Sequence, residues 1–468
     1  MPTLRRTALA LALAAAPLLA RPAPKPSAPS AADLKRIEHV IVIYQENWSF
    51  DGLYGQFPGA DGVRFGTPVK QLEKDGVTPL SALPRPMLAP GKPDPRFPEQ
   101  LPVETYDLAR TVGPEVRTGD LVHRFYTHQQ QIAGGANTGF AAWSDNPGLV
   151  LSGYDATTLP VGKLAREFTL CDRAFQSAFG GSFLNHQWLV AARTPRWEGE
   201  APPADKLVSA LDAQGRAATI GDDRQLTPRQ GDQGWFAVNT IQPMAPPFDP
   251  RAQDPGERLP PLTNPHIGDR LDAAGVTWAY YAGGWDAAER GRADPDFQYH
   301  HQPLAYFKDC APGTPCRRHL QDASRFLDAV KAGRLPAVSF VKPLGPLNEH
   351  PGYADVATGE REVERLVTAV RQSRAWASSL IVITYDEFGG RWDHVPPPRI
   401  DAWGPGTRIP MIVVSPFARR HTVDHTPYET VSILAFIERR FGLPPLSDRD
   451  GRADPLSGAL DPALLRRR

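Results

Sequence analysis

Residues 40–55 read VIVIYQENWSFDGLYG, and the first four letters decide the fold. Val40, Ile41, Val42 and Ile43 form a continuous apolar run with no polar alternation. Such a run reads as a strand buried on both faces, the kind found inside a parallel sheet. It ends abruptly in Gln45, Glu46 and Asn47. Open α/β sheets bind ligands at the carboxyl ends of their strands, so this polar ending marks a candidate site.

The same logic recurs in SSLIVITYDEFGGRWDHVPPP, residues 378–398. An apolar strand from Leu380 to Thr384 runs into Asp386 and Glu387, followed by two glycines that allow a close turn. Two strand ends thus deliver Glu46, Asn47, Asp386 and Glu387. Three carboxylates and an amide oxygen suit one hard divalent ion of the Mg, Ca or Mn type. Read singly, each pair is equally an ordinary strand-end turn.

Further buried-strand candidates are 38–44, 167–174, 276–281, 336–341, 379–385 and 409–415, with helices expected at 266–274, 318–331, 359–375 and 429–441. This alternation predicts an α/β fold with a mostly parallel central sheet, helices on both faces and long loops over the strand C-terminal edge. Proline-rich stretches at 81–102 and 239–265 read as surface connections.

The chain has 468 residues, with 52 Lys plus Arg against 52 Asp plus Glu. That balance provides no global field for a polyanion, so nucleic acid is not expected as a partner. Mean hydropathy of −0.37 fits a soluble protein. Residues 1–30 differ: Arg5 and Arg6 precede an apolar run from Ala8 to Ala20 and a Pro/Ala/Ser stretch. This predicts a signal peptide, with the paired arginines pointing to twin-arginine export and a periplasmic or secreted protein. The run is too short for a stable membrane span. Residues 31–468 are then expected to form one large domain. Of three cysteines, Cys310 and Cys316 flank a short loop that a disulfide can close, and Cys171 reads as a buried thiol.

Several stretches together resemble the bacterial phosphoesterase family, which contains phospholipases C and a branch of exported acid phosphatases on an alkaline phosphatase-like fold. HVIVIYQENWSFDGLYG (39–55), YDEFGGRWDHVPPP (385–398), IPMIVVSPFAR (409–419) and DHTPYETVSILAFIERRFGL (424–443) follow its motifs in order. The resemblance implies that Glu46, Asn47, Asp386 and Glu387 hold a metal. It also implies a nucleophile in FQSAFGGSFLNHQWLVAAR (175–193), where a strand-like run ends in Gly180-Gly181. Ser182 would stand at a helix N-terminus, where free N–H groups favour a phosphoryl group, with Asn185 three residues on. Locally the serine reads equally as a helix N-cap. Ser-Phe-Leu-Asn-His resembles the acid phosphatase branch.

His123, His300, His301 and His350 lie in stretches resembling those that supply active-site histidines in that branch. Their implied roles are phosphate binding and protonation of the leaving alkoxide, with an acidic optimum if a histidinium is required. Asp393-His394 and Asp424-His425 are assigned structural roles. The stretch Gly134-Gly135-Ala136-Asn137-Thr138-Gly139 lacks the Lys and Asp that phospholipase members carry. The expected activity is therefore a metal-dependent acid phosphatase working through phosphoserine on Ser182. A phospholipase C is the alternative, with Trp48, Trp143 and Trp188 as candidates for an apolar rim, and a non-catalytic binding protein comes third. The expected partner is a small phosphate ester or a phospholipid.

Overall fold

The computed structural model describes residues 29–208, 211, 219–228 and 234–467. The expected signal peptide falls almost entirely outside the described residues. Among those described, no helix is long and apolar enough to cross a membrane.

Eight strands form the main sheet: β1 (His39–Gln45), β2 (Thr169–Cys171), β3 (Trp278–Ala282), β4 (Leu320–Asp322), β5 (Val338–Lys342), β6 (Ser379–Tyr385), β7 (Met411–Val414) and β8 (Thr422–Asp424). Their spatial order is β4-β3-β5-β1-β6-β7-β2-β8. β7 runs antiparallel to both neighbours, and every other adjacent pair is parallel. β1 and β6 are central and buried along nearly their whole length. Their continuous apolar runs match that position, since each buried Val, Ile or Leu contributes roughly 1.5–3 kcal/mol.

Six helices cover the sheet: α1 (Pro160–Glu167), α2 (Ser182–Ala191), α3 (Ile267–Ala273), α4 (Ser324–Lys331), α5 (Val356–Arg371) and α6 (Val431–Phe441). Neighbouring side chains on β1 point to opposite faces. The Tyr44 hydroxyl reaches the Asn185 carbonyl of α2 at 3.4 Å, and Gln45 Nε2 reaches the Gly359 carbonyl of α5 at 3.4 Å. Helices α1, α4 and α5 pack together on the Gln45 side, and α2, α3 and α6 on the Tyr44 side. Helices therefore lie on both faces of a mostly parallel sheet, and the α/β reading holds.

Local departures have physical reasons. The helix expected over 318–331 is a 3₁₀ turn at Cys316–His319, then edge strand β4, then α4. Leu320 pairs with Tyr280 of β3, and this edge pairing overrides the helical pattern. The helix expected at 359–375 begins at Val356, because the Asp355 side chain caps it by accepting from the Thr358 N–H. The strand expected over 167–174 shortens to Thr169–Cys171, and β8 was not foreseen. The run before Gly180 is mostly loop, with only Ala174–Phe175 paired, to Tyr428–Glu429. Within the proline-rich 81–102 stretch, Leu83–Pro84 pairs with Gln100–Leu101 and Met87–Ala89 with Lys92–Pro93. Cys310 and Cys316 form a disulfide, and Cys171 is a buried free thiol.

Candidate active site

Parallel pairing in register sets Gln45 level with Tyr385 and Ala282 level with Lys342. The residues that follow β1 and β6 must therefore emerge side by side at the C-terminal edge. Asn47 and Asp386 meet there: the Asn47 N–H donates to Asp386 Oδ1 at 3.2 Å. Asn47 adopts φ of 62°, a left-handed conformation that asparagine tolerates. Gly389, also left-handed, lies so close that a Cβ there would sit 2.2 Å from the Asn47 carbonyl oxygen. That is the physical reason for the glycine after Asp386-Glu387.

Ser182 is the first residue of α2, and Gly181 is its N-cap. Ser182 is thus not a capping residue. Its Oγ points instead at the strand ends, 3.2 Å from Glu46 Oε2 and 3.4 Å from Asn47 Oδ1. Gly181 permits this approach: a Cβ there would lie 2.5 Å from the His123 carbonyl oxygen. Asn185 is differently employed from the expectation. Its Oδ1 accepts from the Ala178 N–H at 3.0 Å and its Nδ2 donates to the Gly181 carbonyl at 3.2 Å. Both ends of the amide hold the loop, so Asn185 positions Ser182 and does not face the cleft.

Glu46, Asn47, Asp386 and Glu387 are all fully buried. Asp386 Oδ2 and Glu387 Oε1 have no hydrogen-bond partner. Burial pushes both carboxyl groups well above the usual carboxylate range, and the neighbouring carboxylates push them further. Unpaired buried carboxylate oxygens are costly unless a cation meets them. Asn47 Oδ1, 3.4 Å from Ser182 Oγ, is a further oxygen donor at these strand ends, and oxygen donors of this kind suit a hard divalent ion.

Glu46 behaves differently. Burial raises its pKa, but the Lys342 ammonium, His301 and His186 outweigh burial and hold it well below the usual range. Lys342, the last residue of β5, is fully buried with Nζ on Glu46 Oε1 and 3.1 Å from the Tyr44 carbonyl. His301 Nε2 lies 3.1 Å from the same Glu46 oxygen. His186 Nε2 is 3.8 Å from it, and His186 Nδ1 is 3.8 Å from Asp386 Oδ2. Lys342 and His186 escaped the sequence reading. Lys342 carried the same signal as Glu46, a charge at the end of a buried strand, and His186 is the residue after Asn185.

A cleft of about 410 Å³ opens beside Ser182, and His123, His300 and His350 line it with Asp120, Arg124 and Tyr353. His123 Nε2 is 3.7 Å from Glu387 Oε1. His300 and His301 occupy one 3₁₀ turn, with rings edge to face at 4.7 Å, so one borders the cleft and the other reaches Glu46. His350 stacks on Tyr353 at 4.3 Å. Burial lowers the pKa of His123, lowers that of His300 further, and lowers that of His301 to about 4. Burial thus disfavours the charged form of these three rings, and the nearby Glu46 carboxylate opposes that effect.

His128 is structural: it stacks on Phe388 at 3.7 Å, accepts from the Gly180 N–H at 3.0 Å and meets Thr407 Oγ1 at 2.8 Å. Behind the site, buried Arg408 donates to Asp393 Oδ1 at 2.8 Å and to Asp51 Oδ1 at 3.1 Å. His394 Nδ1 meets Asp51 Oδ2 at 2.6 Å, and its Nε2 meets Asp61 Oδ1 at 3.2 Å. Asp424 accepts from the Tyr428 hydroxyl at 2.6 Å, while His425 bonds Asp172 at 2.8 Å. Trp48 and Trp188 are buried, and half-buried Trp143 lies under Lys74. The three tryptophans make no apolar rim at the cleft.

The Phosphoesterase family matches this sequence over residues 37–444. Among curated relatives, phospholipase C B of Mycobacterium tuberculosis is 26% identical over 455 residues, covering 89% of this chain and 75% of that protein. Non-hemolytic phospholipase C of Burkholderia pseudomallei is 26% identical over 465 residues. That match covers 87% of this chain and 55% of the relative, so this chain spans about half its length. Among solved structures, a protein in the alkaline phosphatase superfamily from Vibrio parahaemolyticus is 10% identical, with a TM-score of 0.33 over 63% of this chain and 65% of that one.

Proposed function

The chain belongs to the Phosphoesterase family and is a hydrolase acting on phosphoric ester bonds, and from that premise we propose an exported, metal-dependent phosphomonoesterase that works through a phosphoserine on Ser182. The observation that carries this reading is the Ser182 hydroxyl. It sits at a helix N-terminus, within 3.4 Å of both Glu46 and Asn47, beside a small cleft lined largely by polar groups.

A divalent ion on Glu46, Asn47, Asp386 and Glu387 would acidify the Ser182 hydroxyl and shield charge on the phosphate. Ser182 Oγ attacks phosphorus, and the bond from phosphorus to the ester oxygen breaks. Imidazoles lining the cleft bind the phosphate oxygens, and one delivers a proton to the departing alcohol. Water then hydrolyses the phosphoserine, releasing phosphate and regenerating the serine. The N–H groups opening α2 aim at the attacked phosphate.

A phospholipase C on the same scaffold is the second reading, favoured by the names of the curated relatives. The absence of an apolar rim from Trp48, Trp143 and Trp188 favours the monoester. The test compares an aromatic phosphate monoester with a micellar phosphocholine diester lipid between pH 4 and 9, with Ser182→Ala as control. Monoester preference supports the proposal. Lipid preference makes the enzyme a phospholipase C, and activity surviving in Ser182→Ala removes the serine as nucleophile.

A further inference from the structure

Glu46 divides its two oxygens between different surroundings. Oε2 faces Ser182, on the side of Asn47. Oε1 faces Lys342, His301 and His186. Glu46, His186 and His301 each offer a ligand atom within 4.8 Å of the others, and all three residues are buried. One carboxylate and two imidazoles form a donor set for a zinc-type ion. His186 Nδ1 lies 2.8 Å from the Ser182 carbonyl, which can only accept, so the neutral ring carries its proton there. Its Nε2 is left as a buried lone pair with no hydrogen-bond partner, 3.8 Å from the Glu46 oxygen. Two lone pairs facing each other call for a positive charge between or beside them, and the Lys342 ammonium supplies it.

We propose that Lys342 is the built-in cation of a second metal position formed by Glu46, His186 and His301, and that its ammonium limits the centre to one divalent ion. The inference rests on the reading of Glu46, Asn47, Asp386 and Glu387 as the site of that one ion. Charge supports it: the carboxylates of Glu46, Asp386 and Glu387 are balanced by one ammonium and one dication. Burying an ammonium costs several kcal/mol unless a carboxylate meets it. Lys342 has that partner in Glu46, and its remaining polar contact is the Tyr44 carbonyl. Glu46 would bridge two ions if Lys342 were absent, with Oε2 on the first and Oε1 on the second.

The experiment counts metal per chain by elemental analysis of full-length protein equilibrated with excess Zn²⁺ and then dialysed. The proposal expects one ion in the wild type, two in Lys342→Met, and one again in Lys342→Met/His301→Ala. One ion in both wild type and Lys342→Met overturns the role of Lys342 and leaves the first metal site standing. No ion in the wild type overturns the metal reading itself, and this inference with it. Where Lys342→Met does not fold, X-ray absorption on the zinc-loaded wild type decides. Oxygen-only coordination is the expected result, and imidazole ligation by a second zinc overturns the proposal.

Discussion

At the scale of single residues, proton and backbone geometry set the behaviour of the site. His301 is held at a pKa of about 4 by burial, which its contact with Glu46 only partly offsets, and His123 and His300 are lowered in the same direction. Negative charge on a bound phosphate favours the imidazolium and raises these values. The limb on which activity falls as pH rises should therefore appear at higher pH in kcat, which reports the complex, than in kcat/KM, which reports free enzyme. Coincident limbs across a pH series would contradict this. Gly389 gives a second prediction. Gly389→Ala places a β-carbon in left-handed backbone, costing roughly 1–2 kcal/mol, and drives it into the Asn47 carbonyl at 2.2 Å. Both denaturant stability and metal retention should fall, and retention unchanged by elemental analysis would show that this contact does not hold Asn47 in place. The carboxylates and Ser182 were legible because they interrupt apolar runs or follow paired glycines. Lys342 carried the same kind of signal, a charge closing a buried strand, but nothing in "PAVSFVK" says which neighbouring strand end its ammonium will meet.

At the scale of elements, the central strands carry both the core and the site. Ile381 is fully buried in β6 and pairs with Ile41 of β1. Ile381→Ala should cost about 2–5 kcal/mol. It lies five residues from Asp386, so the loss should appear as a lower unfolding midpoint with near-normal turnover well below that midpoint. The strands of the sheet centre were readable because burial on both faces leaves a continuous apolar run. The edges were not: β4 is three residues long with the polar burial of an edge strand, and its pairing with β3 is non-local. β8 is equally short and pairs only with β2. The helix at Val431–Phe441 was readable from its amphipathic face, but α1 was not foreseen, and the start of α5 depends on the Asp355 cap, which the apolar pattern does not encode.

At the scale of the molecule, the network behind the site ties remote segments into one ion-paired unit. Asp51, Asp61, Asp393, His394 and Arg408 come from the first and last parts of the chain. Burial lowers the His394 pKa, but the Asp51 carboxylate more than offsets this and raises it to about 9. A folded-state value above the unfolded value of about 6.5 means the contribution is fully present below pH 6.5 and is lost as pH rises through about 9. Its size is on the order of 1–3 kcal/mol. The wild type should therefore melt at lower temperature at pH 9.5 than at pH 6.5, and His394→Gln should flatten that difference; an unchanged slope in calorimetry would exclude His394 as its source. The proposed donor set has the same long reach, since Asn47 and Asp386 meet across 339 residues of sequence. A ribosome must therefore deliver both strand ends before the centre exists at all. On the proposed metal reading, a nascent chain would carry Ser182 without an ion until then, and metal capture would be a chemical signal that synthesis has passed the second strand and that the two have paired.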